Sequence, residues 1–125
     1  MQRVYYNKLV RDTIKEIIEE NGQQCSVRSI TDDSEFVQEL LKKVREEATA
    51  LSHVRSREEF LNEYAGLMVV LDSLTAHYDF SEADIKTALS ENIARKGLYQ
   101  KRHFLHWSDD AGYVSNESVQ GIKNT

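Results

Sequence analysis

Two stretches decide the fold of this chain: residues 35–51, EFVQELLKKVREEATAL, and residues 60–74, FLNEYAGLMVVLDSL. In the first, Val37, Leu40, Leu41, Val44, Ala48 and Leu51 recur at spacings of three and four, which predicts one apolar stripe on a helix. In the second, Phe60, Tyr64, Leu67, Leu71, Leu74 and Tyr78 share one face, and Leu61, Ala65, Met68 and Thr75 fill the next. A helix this apolar around its circumference is expected to lie between several helices or in a subunit interface. The connection, residues 52–56, is short enough to make the two helices antiparallel neighbours.

Each helix carries an acid among its apolar residues. Glu47 falls on the stripe of Leu40 and Leu51, whereas Glu46 is turned about 100° from it. Glu63 has Phe60, Leu67 and Val70 as helical neighbours. An isolated buried carboxylate is costly, so these acids are expected to be paired, protonated or holding a metal. Asp72 lies roughly 13 Å farther along the axis and about 180° round, so it shares no ion with Glu63 inside one helix. Glu58 and Glu59 suit a first helical turn, where they complement the dipole.

Outward from this pair, Thr13 and Glu16 fit a capping box for a short helix ending at Asn21-Gly22. Residues 23–30 alternate weakly and are expected to form a loop or a short strand. Residues 31–34, TDDS, offer several caps for the second helix. Ser81 with Asp84 predicts another capped start, for a helix whose inner edge is Ile85, Ala88, Leu89, Asn92 and Ile93 and which ends near Gly97. The expected organisation is an all-α domain over residues 1–107 and a mobile polar tail over 108–125.

Composition narrows the function. The chain has 125 residues, enough for one core, with 40% hydrophobic and 30% charged side chains and no proline. Its net charge of -5 argues against a nucleic-acid backbone as main partner, though a local basic patch can still hold a small anion. No apolar run reaches the roughly 18 residues of a membrane span, and the start lacks a signal-peptide core. The single cysteine, Cys25, suits a reducing compartment, so a cytoplasmic location is expected.

Two uses of the acids fit this pattern. Acidic helix faces meeting in a bundle can hold magnesium, which prefers carboxylate oxygens and is often shared with substrate phosphates. A complete site needs about four carboxylates, in pairs three residues apart, yet Ala50 follows Glu47 and Gly66 follows Glu63. The simpler use is ion pairing with Arg95, Lys96 or Lys101. Basic residues cluster at both ends, as Lys8 and Arg11, then Arg95, Lys96, Lys101, Arg102 and His103, and such groups suit phosphate oxygens. Asn92 and Tyr99 have side chains able to contact a base or ribose, though nothing in the sequence demands it. The four histidines show no metal-ligand spacing, and neither a nucleophile triad nor a glycine-rich phosphate loop is present.

Residues 6–22, YNKLVRDTIKEIIEENG, closely resemble the opening of the MazG-like family, the phosphoribosyl-ATP pyrophosphohydrolase-like proteins, which reads close to YNKLVRDKIPEII. The resemblance continues through LLKKVREEATAL, NEYAGLMVVLDSL and RKGLYQKRHFL, over roughly residues 5–107. It implies an all-α fold completed by a homodimer or tetramer with four-helix assemblies. It also implies magnesium-dependent cleavage of a nucleoside triphosphate between its α- and β-phosphates, giving the monophosphate and pyrophosphate.

The family's metal motif is EExxE followed by ExxD on the next helix. Matched to it, Glu46, Glu47 and Glu63 are the metal ligands, with Glu47 and Glu63 central to catalysis. The last acids of the two motifs fall on Ala50 and Gly66, and Thr49 and Asn62 stand where glutamate is common. Magnesium binding should therefore be weak and hydrolysis weak or lost, since affinity follows carboxylate number. Lys8, Arg11 and Asp12 match the opening motif and Lys101 and Arg102 the later one. With Asn92 and Lys96 they are the expected nucleotide- and phosphate-binding residues. Lys15 replaces a usual proline at little consequence.

Overall fold

The computed structural model describes residues 2–116 and 121–123, and among them the regular structure is entirely helical. Four helices follow one another: α1 (Ile14–Glu20), α2 (Asp33–Ser52), α3 (Arg57–His77) and α4 (Glu82–Lys96). The chain divides into two compact units, residues 1–86 and 87–125. The predicted all-α class holds.

Local chemistry sets most helix ends. Asp32, extended at φ -82° and ψ 120°, accepts the Glu35 backbone N–H at 2.9 Å and starts α2. Ser56 accepts the Glu59 N–H at 3.1 Å, and Glu59 accepts the Arg55 N–H at 2.7 Å. Its carboxylate bond to the residue before the cap gives Glu59 a more specific task than dipole compensation. The predicted Ser81–Asp84 box is present: Ser81 accepts the Asp84 N–H at 3.1 Å and Asp84 accepts the Ser81 N–H at 2.9 Å. Helix α4 ends at Gly97, whose φ of +77° is the left-handed conformation that glycine adopts without steric cost, and whose N–H reaches the Ile93 carbonyl.

One sequence expectation fails locally, and one open alternative is decided. Thr13 precedes α1, but its side chain makes no capping hydrogen bond. Its backbone (φ -97°, ψ 0°) is not extended, because Ile14 N–H already turns back onto the Arg11 carbonyl, and the hydroxyl is not aimed at the free N–H groups. Residues 23–30 form a loop with no strand. That loop is tied to α2 by Arg28, which donates to both Glu35 carboxylate oxygens, one at 3.1 Å.

In the first unit α2 packs against α3. Phe36 meets His77 edge-on at 5.8 Å near one end of the pair. Toward the other end Glu47 meets Gly66. Rising residue numbers on α2 thus meet falling numbers on α3, so the helices are antiparallel, as their short connection predicts. Leu40, Val70 and Leu74 are the buried core, with Leu9, Phe36, Val37 and Val44 packed around them. Leu9 brings the opening KLVRD segment onto this helix pair.

The predicted stripes are only partly covered. On α2, Leu41 is 53% exposed, and on α3 Leu61 is 66% exposed, with Phe60, Tyr64 and Leu71 also open. The expected inner edge of α4 is open as well: Ile85 and Leu89 are exposed and Ile93 is half-buried. Nor are Glu47 and Glu63 buried; both are half-buried, and no polar residue is fully enclosed among the described ones. The reason is geometric, since a helix with one packed neighbour covers only one side of a wide apolar face.

In the second unit, the chain beyond Gly97 is irregular. The Arg102 N–H bonds the Tyr99 carbonyl at 3.1 Å in a turn that puts Arg102 at φ +55°. Of the expected tail, residues 117–120 and 124–125 lie outside the described residues. Within the rest, Asp110 pairs with Lys123 at 3.0 Å and accepts the Gly112 N–H.

Three exposed carboxylates are held below their usual range: Glu35 chiefly by its hydrogen bonds from Arg28, Asp84 by the Ser81 N–H and hydroxyl, and Asp110 by the Gly112 N–H and Lys123. Groups depressed in the folded state stabilise it above the unfolded carboxylate range and lose that contribution as pH falls through their folded values. All three are exposed, so each effect is small. Urea midpoints should fall as the pH drops below about 4. The fall should be shallower in Arg28→Ala, and superimposable profiles for the two proteins would remove Arg28–Glu35 from the explanation.

Candidate functional site

The site is built from facing positions on α2 and α3. A Cβ placed on Gly66 would stand 2.8 Å from Glu47 Oε2 and 3.4 Å from Glu47 Cδ. The Glu47 carboxylate therefore lies directly against the α3 backbone, in space that a side chain at position 66 would enter. The same antiparallel register that pairs Phe36 with His77 and Glu47 with Gly66 carries Ala50 to the level of Glu63. Two levels of the helix pair thus hold one acid each, on opposite helices, and each acid faces a residue whose side chain has no ligand atom.

Glycine inside a long apolar helix lowers helix propensity, which signals a packing reason. Sequence comparison with the metal motif treats Gly66 as a missing acid. The structure adds that its bare Cα makes room for the acid across from it.

The other predicted residues take separate places. Glu46 points away from this face, with its side chain 49% exposed, and pairs with Lys43 at 2.9 Å. Asp72 is exposed on α3. In the opening segment the Lys8 ammonium sits 5.3 Å from the centre of the Tyr6 ring, and Lys8, Arg11 and Asp12 are all exposed. Asn92, Lys96, Lys101 and Arg102 belong to the second unit and are exposed there.

A hard divalent cation asks for several converging oxygens. Among the described residues no group of three or more His, Cys, Asp or Glu side chains is arranged to hold a metal. Glu46, Glu47 and Glu63 of one chain do not by themselves form such a set. Two open depressions exist elsewhere in the first unit. One, of about 770 Å³, runs along Val54, Arg55, Arg57, Phe60 and Leu61. The other, of about 590 Å³, lies beside Lys15, Gln23 and the exposed thiol of Cys25. Neither is lined by a predicted site residue. No helix of the described residues is long and apolar enough to cross a membrane.

No family model, curated protein or solved structure matches this chain.

Proposed function

We propose that this chain is a MazG-like nucleoside triphosphate pyrophosphohydrolase by lineage, one whose conversion of a triphosphate to monophosphate and pyrophosphate is weak or lost. The observation that carries this is the Glu47 carboxylate lying against Gly66. It supports a helix pair with the arrangement of an acid-lined phosphate site, in which two of four acid positions are Ala50 and Gly66. Glu47 and Glu63 are the acids left to act on a bound triphosphate and its metal, with Glu46 on the edge.

Among the described residues, those of one chain do not fit magnesium, so any binding by a single chain is weak. What this chain's own residues can supply is charge and position. Lys8, Arg11, Lys96, Lys101 and Arg102 carry cations suited to phosphate oxygens, and Asp12 and Asn92 offer polar contacts. Three buried residues among the described ones make a small core, and the exposed apolar side chains of α3 and α4 favour a homodimer or tetramer that covers them. Action in the cytoplasm accords with the exposed free thiol of Cys25.

The absence of a three-ligand group among the described residues favours a second use, a non-catalytic module that binds nucleotide or a protein partner. Purified protein with magnesium and a panel of canonical and modified nucleoside triphosphates should release little pyrophosphate above the protein-free control. Robust turnover abolished by Glu63→Gln would overturn the loss of activity. In the same preparation, triphosphates should raise the melting temperature, and Lys101→Ala/Arg102→Ala should remove the rise. If no nucleotide moves the melting temperature, the nucleotide-binding proposal fails.

A further inference from the structure

We draw no further inference here: the strongest candidate, the depression of about 770 Å³ at the turn between α2 and α3 beside Arg55, Arg57, Phe60 and Leu61, rests on the N-terminus of α3 and on exposed side chains, and nothing in the structure shows what covers it.

Discussion

Leu74→Ala should lower the unfolding free energy by roughly 2–4 kcal/mol, the range for emptying a well-packed leucine site. Leu74 is one of three buried residues among the described ones, and Phe36, Val37 and Val44 of α2 pack around that cluster. The truncation removes transfer energy and also leaves a cavity, which the antiparallel helices can close only by shifting their register. For a single domain the total stability is about 5–15 kcal/mol, so this one change consumes a large fraction of it. The urea midpoint should fall sharply, with α2 and α3 lost together.

Leu61→Ala is the matched control, because Leu61 is 66% exposed. It should cost little, because shortening an exposed side chain leaves no buried cavity. Equal losses for Leu61 and Leu74 at high dilution would show that the core lies elsewhere than at the α2–α3 contact.

Ala50→Glu with Gly66→Asp should raise magnesium affinity by about tenfold or more, because each added carboxylate strengthens a hard-cation site. Here the structure changes what is expected of the double variant. A side chain at 66 must displace the Glu47 carboxylate, which lies 2.8 Å from the new Cβ position. The obstacle is the far end of a flexible side chain, so it can rotate away. Without metal, four acids at two adjacent levels repel one another, and the melting temperature should fall below that of the parent. Adding magnesium should recover it, since a ligand that binds only the folded state stabilises it in proportion to the logarithm of its concentration over the dissociation constant. Calorimetry that detects no gain in magnesium binding, together with melting that ignores the metal, would show that positions 47, 50, 63 and 66 do not form the site.

Helix class was legible from residues alone because the apolar spacing in 35–51 and 60–74 fits only one period, and because no proline interrupts either run. The cap at Ser81 was legible for the same local reason, a side-chain oxygen reaching backbone N–H groups within three residues, while Asp32 was one of several candidates in residues 31–34 and the fold chose among them. Thr13 shows the limit of that logic. Its residue type suits a cap, but the turn entering α1 settles its backbone first. The Arg28–Glu35 tie had no periodic signal, since it joins a loop to a helix through long side chains whose directions local spacing does not set.

The candidate site divides in the same way. Spacing alone put Glu47 and Glu63 among apolar neighbours and Ala50 and Gly66 three residues beyond them. Only the packed helix pair placed Glu47 against Gly66, because that contact depends on the register between two helices, which no pattern within either helix encodes. Burial was likewise a tertiary decision. Amphipathic spacing states which side chains prefer to leave water, whereas coverage depends on how many neighbours arrive. In this chain α2 and α3 meet along one side, which buries Leu40, Val70 and Leu74 and leaves Phe60, Leu61 and Tyr64 in water.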